Sequence, residues 1–192
     1  MARLFTAIEL TDSARAAVAR TQQDLLRAVS VPSGPRLRPV RSTELHLTMA
    51  FIGEVPRERV AVIAAAIAEG FDLDPFVMIV AGAGTFPPRG PARVLWVGAK
   101  DEGGRLEHLF RLVTDRLTKA GVSVEQGRWT PHLTLGRWRD SGPRSPRVPS
   151  VGVVATQTVT EVVLVQSELR ADGPVHRVVA HGALSPTSAS LH

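Results

Sequence analysis

Thr130-Pro131-His132-Leu133-Thr134-Leu135-Gly136-Arg137 decides how the 192-residue chain is read, because Glu44-Leu45-His46-Leu47-Thr48-Met49-Ala50-Phe51 repeats its centre. Both stretches carry His-Leu-Thr followed by an apolar residue. Successive side chains of an extended strand point to opposite faces, so each His shares a face with its Thr while the Leu between them faces away. One such triplet is weak evidence, since a lone His on a strand is more often packed or simply exposed. Two copies ask for a structural reason.

The flanking sequence supplies one. Leu4 to Leu10 reads as a buried strand, and Thr11-Asp12-Ser13 offers N-cap side chains for a helix through about Ala28. Val31-Pro32-Ser33-Gly34-Pro35 ends that helix, and Glu44 to Ile52 returns as the strand carrying the first triplet. The order then recurs: Arg93 to Ala99 is a strand with Trp96, and Gly104 to Ala120 a helix with Leu106, Leu109, Phe110, Val113 and Leu117 at helical spacing. Trp129 to Trp138 is the strand with the second triplet. Leu4 precedes His46 by 42 residues and Val94 precedes His132 by 38, so segments of about 3–53 and 92–138 read as diverged copies of one module.

A helix over Arg57 to Glu69, a strand over Phe76 to Gly84 and the loop Pro87-Pro88-Arg89-Gly90-Pro91 lie between the copies. A Pro, Arg and Ser loop follows from Asp140 to Pro149, with strands over Thr158 to Gln166 and Val175 to His181. The expected fold class is α+β: two pseudo-symmetric lobes of antiparallel sheet flanked by helices, with a central cleft, in a single domain over 1–184. The tail 185–192 has no periodicity and is expected to be disordered.

Cysteine is absent, which excludes a disulfide framework and any thiolate metal site. The apolar N-terminal run is interrupted by Glu9 and Asp12, unlike a secretory leader, and no apolar run approaches the roughly 20 residues of a membrane span. A cytoplasmic protein that avoids membranes is expected. Net charge is +5, carried almost wholly by Arg, which favours polyanions. Genome composition can produce the same Arg bias, so charge alone does not single out RNA.

If the modules pack about a pseudo-dyad, two imidazoles and two hydroxyls can surround one small group, and a phosphate fits that description. Imidazole has an ordinary pKa of about 6.5, so one ring can take a proton from a nucleophile while the other gives one to the leaving oxygen. Threonine hydroxyls can donate to the non-bridging oxygens. Such chemistry needs no cofactor. Neither triplet has a second His at helical spacing or a carboxylate in a ligand pattern, so no metal is expected.

From Arg3 to Leu184 the chain resembles the two-histidine phosphoesterase superfamily, specifically the RNA 2',3'-cyclic phosphodiesterases once called 2'-5' RNA ligases. The resemblance rests on both motifs, on Arg3-Leu4-Phe5-Thr6-Ala7-Ile8-Glu9-Leu10, on Phe86-Pro87, on Arg93-Val94-Leu95-Trp96-Val97-Gly98 and on Pro131-His132-Leu133-Thr134-Leu135-Gly136-Arg137. It implies that His46 and His132 are the catalytic pair, that Thr48, Thr134 and Arg137 bind phosphate, and that Phe51 lines the substrate pocket. Strand alternation alone puts Arg137 on the face opposite His132, so a bulge or its long side chain must bring it round. The chain departs from its relatives where a Tyr often follows the late Gly-Pro: Gly173-Pro174-Val175-His176 has His, which could line the cleft but is expected on an exposed strand.

The implied reaction is hydrolysis of a 2',3'-cyclic phosphate at an RNA end to a 2'-phosphomonoester, with His132 as base and His46 as acid. The partner is an RNA or oligonucleotide with that end, and a monomer is expected. The alternatives are another cyclic phosphate or a 2'-5' linked oligonucleotide on the same fold, or an RNA-binding protein without catalysis.

Overall fold

Side chains on both faces of Ala2–Glu9 are shut away from water, which makes this strand, β1, an inner member of a sheet: Leu4, Thr6 and Ile8 point one way, Phe5 and Ala7 the other. The computed structural model describes residues 1–29, 34–124, 129–139, 142–144, 146–170 and 173–186. The tail expected to be disordered lies outside the described residues from 187 onward, as do residues 140, 141 and 145 of the expected loop.

Helix α1 (Asp12–Val29) follows β1 directly, and Thr11 Oγ1 accepts the Ala14 N–H at 3.3 Å, the expected N-cap bond. A short strand β2 (Leu37–Pro39) and a 3-10 turn over Ser42–Glu44 lead into β3 (His46–Val55). The chain continues through α2 (Arg59–Ala68), β4 (Phe71–Asp72), β5 (Phe76–Phe86), β6 (Val94–Lys100), α3 (Arg105–Lys119) and β7 (His132–Trp138). It closes with β8 (Val153–Val159), β9 (Glu161–Arg170) and β10 (Gly173–Ser185).

The described strands form one sheet in the order β4-β10-β9-β1-β3-β7-β6-β5-β8, with β2 added beside β7. Its two halves, β10-β9-β1-β3 and β8-β5-β6-β7, mirror each other and meet where Leu47 of β3 pairs with Leu133 of β7. The repeated modules are β1-α1-β3 and β6-α3-β7. Each module's helix reaches across the midline, α1 packing on β8 and α3 on β3. Leu106, Leu109, Val113 and Leu117 form the buried stripe of α3, and each such leucine contributes about 1.5–3 kcal/mol by leaving water.

The fold is α+β, with three corrections of detail. The strand expected over Thr158 to Gln166 is two strands parted at Thr160, because β8 pairs with β5 in one half and β9 with β1 in the other. Glu44 closes the 3-10 turn, so the motif strand starts at His46. The two-residue β4 runs parallel to β10, which makes the sheet mixed where only antiparallel pairing was expected. Both β2 and β4 are too short to leave a period-2 pattern in sequence.

Candidate active site

Leu47 and Leu133, which pair at the midline, are fully buried on the helix side of the sheet. Strand alternation therefore turns His46, Thr48, His132 and Thr134 to the opposite face. Antiparallel register about the Leu47–Leu133 pair sets His46 across from Thr134 and Thr48 across from His132. Two copies of one triplet thereby give a four-residue polar cluster. Trp129 Nε1 adds a tie across the seam by donating to the Thr48 carbonyl at 3.2 Å.

A β-bulge interrupts each motif strand at the same place. On β3, Ala7 pairs with Thr48 and Thr6 with Ala50, leaving Met49 as the extra residue; on β7, Trp96 pairs with Thr134 and Leu95 with Gly136, leaving Leu135 extra. The extra residue shifts the alternation by one. Phe51 and Arg137, each five residues after its His, consequently emerge on the motif face. This is the bulge the sequence required for Arg137, and Phe51, 57% exposed, owes its position to the matching one. Buried polar side chains hold both bulges. Thr6 Oγ1 accepts the Ala50 N–H at 3.1 Å, and Gln22 Nε2 of α1 donates to the carbonyls of Leu135 at 2.7 Å and Val40 at 2.8 Å.

The two imidazoles are anchored alike. His46 Nδ1 donates to the Glu44 carbonyl at 2.7 Å, and His132 Nδ1 donates to the Thr130 carbonyl at 2.8 Å. A carbonyl can only accept, so in each neutral ring Nδ1 carries the hydrogen and Nε2 keeps its lone pair. The Thr48 hydroxyl donates to His46 Nε2 at 3.1 Å. Aromatic walls fix the ring planes. Phe5 stacks on His46 with centroids 4.9 Å apart, while Phe86 and Trp96 meet His132 at 4.9 and 6.4 Å.

Burial pushes the His46 pKa down to about 4; the Glu44 carbonyl opposes the shift, while the charges of His176, Arg137 and Arg15 add to it. Burial also lowers the His132 pKa, against the Thr130 carbonyl and with Arg137. Arg137 thus acts on both imidazoles from the midline. Its own pKa is lowered by burial and by the nearby Arg3. Two guanidiniums and two histidines on one face form a corner suited to an anion.

The family model described as the 2'-5' RNA ligase superfamily matches residues 10–171, most of the chain. The chain belongs to this superfamily. It is 33% identical over 178 residues to an RNA 2',3'-cyclic phosphodiesterase of Archaeoglobus fulgidus, covering 91% of this chain and 96% of the relative. A Thermus thermophilus protein of the same name is 34% identical over 182 residues, covering 92% and 87%. Among solved structures, TT0787 of Thermus thermophilus superposes with a TM-score of 0.79 at 30% identity, covering 96% and 98% of the two chains. Escherichia coli LigT does so at 0.77 and 25% identity with the same coverage, and it has also been solved in complex with 3'-AMP. The 2H phosphoesterase fold implied by the resemblance is therefore the fold of this chain.

Within this superfamily member, one histidine lies elsewhere than on an exposed strand. His176 of β10 has a side chain only 22% exposed, its Nδ1 is 2.5 Å from Glu44 Oε2, and its ring meets His46 at 5.4 Å and Phe5 at 5.0 Å. This corrects the exposed-strand position expected from the sequence: His176 lines the cleft, because β10 returns to flank β9 and brings its ring against Phe5 and His46. Glu44, Phe5, Phe86 and Trp96 also line the site without having been singled out, because their roles depend on cross-strand register. Among the described residues no three His, Cys, Asp or Glu side chains gather in a metal-ligand cluster, and no helix is long and apolar enough to cross a membrane.

Proposed function

We propose that the chain hydrolyses 2',3'-cyclic phosphate ends of RNA to 2'-phosphomonoesters by acid and base catalysis from His132 and His46, without a metal ion. The observation that carries this reading is the matched pair of Nδ1 anchors, which leave both Nε2 atoms unprotonated on one face beside two threonine hydroxyls and Arg137, that of His46 accepting from Thr48. Relatives about 30% identical that are named RNA 2',3'-cyclic phosphodiesterase supply the substrate class.

His132 Nε2 takes a proton from water, whose oxygen forms the new bond to phosphorus. The bond from phosphorus to the 3'-oxygen breaks, and His46 Nε2 delivers its proton to that oxygen, leaving a 3'-hydroxyl and a 2'-phosphate. His46 reaches its protonated form because the bound phosphate anion favours imidazolium and offsets its burial. Protonation of His46 Nε2 releases the Thr48 hydroxyl, which then donates with that of Thr134 to the non-bridging oxygens, and Arg137 balances the charge gathering there. Phe51 offers an exposed ring to a base of the RNA.

A second reading keeps the site and changes the substrate to a smaller cyclic nucleotide, favoured by the complex of LigT with 3'-AMP. Incubation of the protein in excess chelator with an RNA oligonucleotide and a mononucleotide, each ending in a 2',3'-cyclic phosphate, separates the two. The expected result is undiminished turnover, faster on the oligonucleotide, with phosphorus NMR reporting a 2'-phosphate. A 3'-phosphate product would reverse the acid and base assignment, and loss of turnover in chelator would end the metal-free reading.

A further inference from the structure

Glu44 sits against two imidazoles at once, and its buried carboxylate Oε2 meets His176 as an ion-pair neighbour outside hydrogen-bond geometry. Its backbone carbonyl accepts from His46 Nδ1 at 2.7 Å, while its carboxylate oxygen Oε2 lies 2.5 Å from His176 Nδ1. This pair is largely withdrawn from water, the side chains of Glu44 and His176 being 13% and 22% exposed. His176 presents an edge to His46, at 70° and 5.4 Å between centroids, and Phe5 stacks on the same His46 ring at 4.9 Å and 25°. His46 is thus boxed in by β1, the 3-10 turn and β10. The proposed reaction uses the Glu44 carbonyl as an anchor but neither its carboxylate nor His176.

We infer that Glu44 and His176 form a positioning pair for His46: the carboxylate clamps the His176 ring, that ring fixes the orientation of His46, and a proton entering this corner goes to His176 first. The ground is the difference between the two Nδ1 partners. A carboxylate stabilises imidazolium far more than a carbonyl does, and His46 has only the carbonyl. Once His176 is charged, its ring at 5.4 Å opposes a second positive charge, so the two rings titrate as a coupled pair.

Other charges face this corner from each neighbouring element. Burial lowers the His176 pKa; the Glu44 carboxylate opposes that shift, and Arg41, which donates to the Pro174 carbonyl, adds to it. Arg137 of β7 and Arg15 of α1, whose guanidinium bonds the Leu45 carbonyl at 3.1 Å, oppose that of His46. Glu9 of β1 lines the same cavity. All four remain whatever stands at position 176, so a substitution there isolates the pair. The effect on turnover rests on the proposed role of His46, whereas the order of protonation does not.

Imidazole NMR titration of the free protein tests the inference, with His176→Gln and Glu44→Gln beside the parent. Gln is polar and of similar reach, so the burial of His46 changes little. In His176→Gln the His46 midpoint is expected to rise by about one pH unit, and the corresponding limb of kcat/KM to rise with it. In Glu44→Gln, a near-isosteric change available should the first variant fail to fold, the His176 midpoint is expected to fall toward that of His46. A His46 midpoint that stays put or falls in His176→Gln, or a His176 midpoint that does not fall in Glu44→Gln, overturns the inference. A parent that shows the coupled titration without turnover sinks the proposed reaction alone; turnover without the coupling sinks this inference alone.

Discussion

His46 and His132 are each tethered by one hydrogen bond from Nδ1 to the carbonyl two residues earlier, and this bond selects the tautomer whose Nε2 lone pair faces the cleft. The candidate site residues were readable as His-Leu-Thr, but the tethers were not, because any residue supplies a carbonyl and only the local backbone decides where it points. The free-protein pKa values lead to a prediction. Both imidazoles lie below their ordinary 6.5, His46 at about 4, and kcat/KM reports ionisations of the free protein. With a cyclic-phosphate RNA, kcat/KM is expected to trace a bell with both limbs below pH 6.5 and one near 4. Either assignment of acid and base gives the same two limbs. A bound phosphate anion raises both values, so the limbs of kcat should lie higher; a kcat/KM optimum bounded above pH 6.5 would contradict the burial of the pair.

At the scale of the elements, the paired bulges at Met49 and Leu135 do what alternation cannot: they put Phe51 and Arg137 on the same face as the triplets. Sequence could say that Arg137 needed a bulge, yet not that one exists, since a bulge is defined by the partner strand. The same blindness hid Thr6 and Gln22. Thr6 is fully buried with its hydroxyl on the Ala50 N–H, and Gln22 spans from α1 to the Leu135 and Val40 carbonyls. Thr6→Val leaves the Ala50 N–H without that buried acceptor, expected to cost about 1–3 kcal/mol in chemical denaturation, whereas Gln22→Leu strips one donor from the Leu135 carbonyl, which keeps the Val40 N–H, and one from the Val40 carbonyl, expected to cost about 0.5–1.5 kcal/mol. Because the Gln22 contact sits at the bulge that presents Arg137, Gln22→Leu is also expected to raise KM for the cyclic-phosphate RNA several-fold, while Thr6→Val acts on the side of Phe51. Wild-type stability in both variants would show that the bulges hold themselves.

For the molecule as a whole, the duplication in sequence became a sheet whose halves meet at Leu47 and Leu133, with α1 and α3 each laid across the other half. The modules and the α+β class were legible from period and spacing, because long helices and inner strands leave strong patterns. The order of strands was not, since β9 and β10 return to flank β1 from the far end of the chain and no local signal marks that closure. Burying histidines at the seam makes stability depend on pH. The folded pKa of His46 is depressed to about 4, so the unfolded chain binds more protons between there and 6.5. The contribution of neutral His46 is complete above pH 6.5 and is lost as pH falls toward 4, an effect of about 3 kcal/mol. Denaturation of the His46→Asn variant should show a flatter decline over that window, and a parallel decline would place the titrating group elsewhere.

The proposed reaction requires two imidazoles to serve one phosphate. Single-turnover cleavage of an RNA oligonucleotide with a 2',3'-cyclic end, compared among the parent, His46→Ala, His132→Ala and the double variant, measures this directly. Each single variant is expected to lose about 10²–10⁴-fold, with the double variant scarcely slower than either, because removing one member of a working unit already removes its effect. Losses that multiply in the double variant would mean the two histidines act independently, and a single variant with full activity would remove that ring from the chemistry.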